Sequence, residues 1–262
     1  MNLRAFPVLV LLAACAHTPE PTPSPATNAP LGYDANAAAV AMPDRSEADR
    51  ALDEGRKPSQ MLSFLGVVPG VRVAELGAGG GYTAELLARA IGTDGKVYGQ
   101  NTPQMLAMFA EKPWSERLAK PVNAGIVRLD TPADAPFPAN FADTGKLDAV
   151  LFVLGYHDLI ALKADRAAMN AAIFAALRPG GVYGVVDHAA KEGDGVSVAD
   201  TLHRIDEKVV IAEVTAAGFK LDASADFLRN PADTHDWSTS PRVAAERRGT
   251  SDRFVLRFVK PQ

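Results

Sequence analysis

The chain has one cysteine, Cys15, in 262 residues. Without a second thiol it can form no internal disulfide, so cysteine pairing gives no sign of the redox compartment. Lysine and arginine never gather into a run, and 27 of them stand against 31 acidic residues for a formal net charge of −4. That leaves no phosphate-neutralising stripe and excludes a nucleic-acid partner of the usual electrostatic kind. No apolar stretch is long enough for a membrane-spanning helix. There is no internal repeat, and the five histidines never fall at the His-x-x-x-His spacing that puts two metal ligands on one helix face. What is present is an ordinary globular composition, 47% hydrophobic and 22% charged, which suffices for one large α/β domain.

Met1 to Arg4 is a short basic start, and Ala5 to Leu12 is an apolar run too brief to span a bilayer, which is the pattern of a signal peptide. The run ends in Leu12-Ala-Ala-Cys15. This resembles the lipobox of bacterial lipoproteins, and the resemblance implies that Cys15 becomes the lipidated first residue of the mature chain. Ala16 follows, not the aspartate that resembles an inner-membrane retention signal, so an outer-membrane anchor on the periplasmic side is expected. Residues 16–42, with Thr18-Pro-Glu-Pro-Thr-Pro-Ser-Pro25, are rich in Pro, Thr and Ala and are read as an extended tether without a core. The expected organisation is a leader over 1–15, a tether over 16–42 and one domain over 43–262.

Within the domain, Val71-Arg-Val-Ala-Glu-Leu76 alternates as a strand should, and Leu86, Leu87 and Ile91 recur at helical spacing. Between them, Gly77, Gly79 and Gly81 allow a sharp turn and a close ligand, with a helix amino terminus facing it. The run Gly79-Gly-Gly81-Tyr-Thr-Ala84 also satisfies the loose dinucleotide fingerprint. Glu75 separates the readings, because a carboxylate at the strand end would repel a pyrophosphate and attract an ammonium or sulfonium. The segment Glu75-Leu-Gly77-Ala-Gly79-Gly-Gly81 resembles the acidic-x-Gly-x-Gly-x-Gly signature of class I S-adenosylmethionine-dependent methyltransferases. The resemblance implies a Rossmann-like, seven-stranded, doubly wound, mostly parallel sheet, with S-adenosylmethionine as cofactor.

Strand and helix signals then alternate in the order this fold requires. Lys96 to Asn101 is a second strand ending where the family places a ribose-binding acid; Asn101 can still accept from one hydroxyl and donate to the other, more weakly than a carboxylate. A helix follows from Thr102, with Pro113 expected to end or kink it. Ile126 to Asp130 is a third strand, and the resemblance places Asp130 near the adenine amino group, an Asx turn or a cap being the local alternative. Leu147-Asp-Ala-Val-Leu-Phe-Val-Leu-Gly-Tyr-His-Asp158 reads as a central parallel strand buried on both faces. Its end should place Tyr156, His157 and Asp158 at the mouth of the site. After a helix over 165–177 comes a fifth strand ending in Asp187-His188. A helix over 201–217, a sixth strand over 220–228 and an alternating edge strand over 253–259 complete the pattern.

If strands four and five are neighbours, His157, Asp158, Asp187 and His188 converge on one rim. A histidine oriented by a carboxylate can take the proton of a hydroxyl or enol acceptor, and His157 is the first choice for that base. Capping by Asp158 and simple packing of His157 remain open from sequence. The implied function is methyl transfer from S-adenosylmethionine to a small-molecule acceptor, on a domain that meets the membrane only through lipidated Cys15. Two alternatives stand beside it. One is an exported binding module that keeps the fold without the reaction. The other is a metal-dependent hydrolytic site drawn from His157, Asp158, Asp187, His188, His203 and His235, although with no compact ligand spacing no metal is expected.

Overall fold

The computed structural model describes residues 1, 33–141 and 145–262; Cys15, the leader from residue 2 and the tether as far as residue 32 lie outside the described residues. Among the described residues, three helices precede the sheet: α1 (Tyr33–Ala41), α2 (Glu47–Arg56) and α3 (Pro58–Phe64). The first corrects the tether reading, which ran to residue 42. Asn36 is buried and its amide donates to Ser63 Oγ and Val67 O, both at 3.0 Å, while Ala39 packs in the same cluster as Leu62 and Leu65. Alanine-rich Ala37-Ala-Ala39 has high helix propensity, which the neighbouring prolines disguise in a count of composition. Ser46 caps α2 by accepting from Asp49 N, and Lys57, at φ 44°, turns the chain so that Pro58 can open α3.

Seven strands follow: β1 (Arg72–Leu76), β2 (Lys96–Asn101), β3 (Ile126–Asp130), β4 (Leu147–Val153), β5 (Leu177–His188), β6 (Lys220–Ala225) and β7 (Arg253–Val259). Their order in the sheet is β3-β2-β1-β4-β5-β7-β6, and every pair is parallel except those of β7 with β5 and β6. The expected mostly parallel, seven-stranded sheet is therefore present. One placement is corrected. β7 is not an edge strand but lies between β5 and β6, and it is β6, with its mostly exposed side chains, that forms the edge.

Seven more helices connect the strands: α4 (Tyr82–Ile91), α5 (Pro103–Met105), α6 (Glu111–Leu118), α7 (Asp158–Ala161), α8 (Arg166–Ala176), α9 (Ala199–Leu202) and α10 (Glu207–Ala216). Residues from α1, α3 and α4 cover one face of the sheet with Val73 and Val97, while α8 and α10 cover the other with Ala74, Leu76 and Tyr98. Alternate side chains of β1 thus enter two cores, as in a doubly wound sheet. Burying Leu86 and Leu87 of α4 contributes about 1.5–3 kcal/mol each.

Two helix expectations change. Pro113 neither ends nor sharply breaks its helix, because Leu106–Ala110 widens into a π-helical turn in which Glu111 N bonds Leu106 O. The helix expected over 201–217 divides at His203, whose φ of 52° ends α9 before Asp206 caps α10. Arg45 is buried and bidentate to Asp53 at 2.6 and 2.8 Å. Buried Glu85 accepts from Arg89, Arg117 and Lys120, tying α4 to α6 and to the residues just after it.

Candidate functional site

β1 ends in Glu75 and the three glycines, which have φ of 62°, 55° and 79° in turn, so all three use left-handed backbone. Their surroundings differ. A Cβ on Gly77 would lie 3.1 Å from the Phe152 ring, and one on Gly81 would collide with Trp114, so these two serve packing of the loop. Gly79 alone faces open space, with nothing within 4 Å. Glu75 is buried; it bonds Thr83 and the Ala84 backbone, and its Oε2 has no partner. Burial pushes its carboxyl up to about 8, against the opposing hydrogen bond from Thr83 and the more distant Arg56.

The other expected cofactor residues are engaged elsewhere. Asn101 is fully buried, its Oδ1 accepting from Gly79 N at 2.7 Å and its Nδ2 donating to Gly79 O at 3.1 Å. Its amide clamps the glycine loop, and an aspartate here would set a carboxylate against a carbonyl. Gln100 holds the same loop, accepting from Gly77 N and donating to Thr131 O. Asp130 turns to the surface, where Arg128 binds it at 2.8 Å and also reaches Glu111. Between Gly77, Gln100, Met105, Phe152 and Asp158 the space is only about 30 Å³, room for a water or two. The backbone cradle and the unpartnered Glu75 oxygen suit a cationic nucleoside, but an adenosine group needs Phe152 and Met105 to withdraw.

β4 and β5 pair in parallel, and the four rim residues do meet. Asp187 is fully buried, accepting from His157 N at 2.8 Å, His157 Nδ1 at 2.7 Å and His188 N at 2.7 Å. The other ring nitrogen of His157 lies 3.2 Å from Asp158 Oδ1, which His203 Nδ1 approaches at 3.3 Å. Burial alone would discharge His157, but Asp187 and Asp158 outweigh it and hold the imidazole up to about 10. Both ring nitrogens face carboxylates, which favours the protonated ring and leaves neither nitrogen free to take an acceptor's proton. Asp158 is held well below the usual carboxylate range by His157 and His203 against the effect of burial.

His188 has the opposite character. Its Nδ1 bonds Ser251 Oγ at 2.7 Å, and burial, then His157 and Arg253, push it well below the usual imidazole range. It is neutral, and its Nε2 has no hydrogen bond among the described residues. Tyr156, expected at the mouth, points back into the core instead, where its hydroxyl donates to Glu213 at 2.8 Å and accepts from Asn170.

His188 lines a cavity of about 530 Å³ together with Leu154 after β4, residues of 51–57 and 227–230, and the segment 237–253, called its roof below. Leu154 borders both this cavity and the small cleft beside Gly77. It has a φ of 58°, a left-handed backbone rare for a leucine, held by its N–H on Val186 O. Sequence reading missed the roof. Arg204 and Asp233, both fully buried at the side chain, form a bidentate pair at 2.8 and 3.1 Å, and Asp233 also accepts from Trp237 Nε1 and Asp252 N. Nothing in the local pattern marks two residues separated by 29 positions as partners. His203 was noticed, but its turn toward Asp158 depends on its left-handed backbone, which no periodicity reveals.

The metal alternative drew on six residues. His157, Asp158 and His203 offer ligand atoms within 4.8 Å of one another. His235 instead pairs with Asp252, and His188 with Ser251.

The ion pair makes a pH prediction. His157 is charged in the fold up to about pH 10 but titrates near 6.5 when unfolded. Its raised value contributes stability that is fully present below about pH 6.5 and is lost as pH rises through about 10. The thermal unfolding midpoint should therefore fall across that window, and His157→Gln should flatten the fall. An equal slope in the variant rejects the pairing.

Comparison with known proteins agrees with this architecture. Residues 47–131, less than half of the chain, match the family model of protein-L-isoaspartate(D-aspartate) O-methyltransferase. A protein-L-isoaspartate O-methyltransferase of Methanosarcina mazei is 31% identical over 80 residues, 30% of this chain and 33% of that protein. The chain thus spans about a third of that relative's length. Among solved structures, an S-adenosylmethionine-dependent methyltransferase from Mesorhizobium loti is 17% identical with a TM-score of 0.55, covering 80% of this chain and 100% of its own. The cyclase SpnF, 19% identical with a TM-score of 0.52 over 82% of each chain, shares the architecture too, so the fold alone does not fix a reaction. The seven-stranded, mostly parallel sheet agrees with these neighbours, and the chain has the Rossmann-like fold of class I S-adenosylmethionine-dependent methyltransferases.

Proposed function

We propose that the domain binds S-adenosylmethionine at the Gly77–Gly81 loop and transfers its methyl group to a small-molecule acceptor held in the cavity beside His188. The observation that carries this reading is the buried Glu75 carboxyl, whose unpartnered Oε2 lies next to an open glycine loop at the end of β1. A carboxyl kept neutral by burial ionises when a cation arrives, so the site favours a ligand with an ammonium or sulfonium group. The cofactor would supply the electrophilic methyl group. The chain's own part is to seat the acceptor in line, to exclude water and to take a proton where the acceptor must lose one. His188 is the residue placed for that last task.

We further propose that the domain is anchored on the periplasmic side of a membrane through lipidated Cys15, which the Leu-Ala-Ala-Cys15 pattern supports. Mass spectrometry of the mature amino terminus tests this, and an unmodified chain beginning elsewhere removes the anchor from the reading.

Calorimetric titration of the full chain with S-adenosylmethionine and S-adenosylhomocysteine tests the cofactor. Saturable binding that Gly79→Val abolishes, with the circular dichroism spectrum unchanged, is the expected result, because the branched side chain enters the one open stretch of the loop. Binding without methyl transfer to phenols, quinols or carboxylates favours the binding-module alternative. Stoichiometric divalent metal in the purified protein, with no nucleoside binding, favours the hydrolytic one.

A further inference from the structure

Three arginines are buried among the described residues: Arg45, Arg204 and Arg253. Arg45 holds Asp53 and Arg204 holds Asp233, each through two hydrogen bonds. Arg253 holds no carboxylate. Its Nε donates to Ser251 O at 3.2 Å and its Nη2 to Gly249 O at 2.8 Å, which leaves most of its five N–H donors for the cavity it lines.

The rest of the wall repeats this imbalance. Arg56, half-buried, lies 4.4 Å over the Tyr82 ring and forms no ion pair among the described residues. Lys57, Arg247 and Arg248 stand at the exposed rim, likewise without an ion pair, and Arg229 already belongs to Glu207 and Asp252. Among the described residues, Glu54 is the only carboxylate residue lining the cavity. Burial and mutual repulsion bear on the two inner guanidiniums: Arg253 is pushed down to about 10 by burial and then by Arg56, and Arg56 is lowered by burial. An unpaired buried charge costs several kcal/mol, and elsewhere this chain supplies an aspartate to avoid that cost. Here no carboxylate among the described residues stands within ion-pair distance; Asp252 and Asp233 act on Arg253, and Glu75 and Asp49 on Arg56, only from farther off.

We propose that the 530 Å³ cavity takes a small anionic acceptor, its carboxylate or phosphate seated between Arg56 and Arg253 and its body against Leu154, Phe227 and Leu228. The volume lies within the range that encloses a small molecule rather than a polymer segment. Lys57, Arg247 and Arg248 at the mouth draw the anion in, and the inner pair fixes its orientation. Leu154 is the shared wall with the cleft at Gly77, so a ligand held this way has one end toward the cofactor loop. The inference deepens the methyl-transfer reading by naming the acceptor's charge, but anion binding itself is measurable without any transfer.

Calorimetry on the full chain with inorganic phosphate and with benzoate, at low and at raised ionic strength, tests the site. Both probes should bind saturably and more weakly in salt, and Arg56→Met should weaken them by about tenfold or more, the effect of losing a charged hydrogen-bond partner. Arg56→Met should also raise the thermal midpoint of the ligand-free protein, since it relieves an uncompensated charge while keeping the contact with Tyr82. A merely structural arginine would lower that midpoint. Arg253→Met serves as a second variant if the first fails to fold. The two sources of an anionic group, a separate acceptor and the cofactor's own carboxylate, are distinguished by repeating the titration with saturating S-adenosylhomocysteine. Retained phosphate binding supports the acceptor site. Displacement of the phosphate, absence of binding by either probe, or affinities unchanged in both variants overturns the proposal, and failure of the nucleoside to bind while phosphate still does counts against the cofactor reading alone.

Discussion

Arg204→Ala is expected to lower the unfolding free energy by about 3–5 kcal/mol, the usual cost of removing one partner from a buried ion pair. The magnitude follows from what is left behind. Asp233 would remain fully buried with its charge, keeping only the N–H groups of Asp252, His235 and Trp237 as donors. The backbone carbonyls of Ala189 and Trp237 would lose the guanidinium as well. Because those contacts join the end of β5 to the roof over the cavity, the variant should also lose affinity for phosphate even under conditions where the sheet stays folded. Urea denaturation measures the first effect and calorimetry the second. Replacing both partners, as Arg204→Met with Asp233→Leu, should recover only part of the loss, since no charge is stranded but the N–H groups of Asp252, His235 and Trp237 lose their acceptor. A single-variant loss under about 1 kcal/mol would show that water reaches Asp233 and that the roof is not held by this pair.

That pair marks the limit of what the sequence discloses. The strands were legible because their period is local: Val71, Val73 and the run from Leu147 to Val153 carry burial on one or both faces in their own order of residues. The meeting of His157 and Asp158 with Asp187 and His188 was legible as well, because two parallel neighbouring strands must end at the same edge. Which histidine is basic was not legible. Both stand beside an aspartate in the sequence, yet Asp187 turns its carboxylate to the ring of His157 and meets His188 only through the backbone. The sequence also could not show that Asn101 spends its amide on Gly79, or that Gly81 is glycine because of Trp114. Those facts depend on side-chain directions set by packing across 22 to 33 positions of chain, and no window of residues contains them. The helix at 33–41 is a different lapse, since its alanines were visible and were outvoted by prolines upstream.

The largest kinetic effect is expected at His188. Its neutral imidazole lines the cavity, and Ser251 fixes its Nδ1, so Nε2 is the atom presented to an acceptor. Its basicity is low, because burial, the His157 imidazolium and Arg253 all disfavour a second charge. A weak base removes a proton efficiently only from a group whose own pKa has fallen to meet it. The cationic wall supplies that fall: a phenol or enol hydroxyl held near Arg56 and Arg253, with the His157 ring 5.8 Å behind that of His188, ionises more readily than it does in water, whereas an aliphatic alcohol stays out of reach. His188→Ala should thus lower kcat for a hydroxylated acceptor by about 10²- to 10⁴-fold while leaving S-adenosylmethionine affinity nearly unchanged. The pH profile adds a signature of its own. With His188 pushed below the ordinary imidazole range, wild-type turnover should be flat from about pH 6.5 upward instead of rising through it. It should decline only as His157 loses its proton toward about 10. His157→Gln, by contrast, should keep much of the turnover at neutral pH and lose the alkaline decline. If His188→Ala leaves kcat intact across that profile, the acceptor reaches the site already ionised and the arginines alone make it a nucleophile.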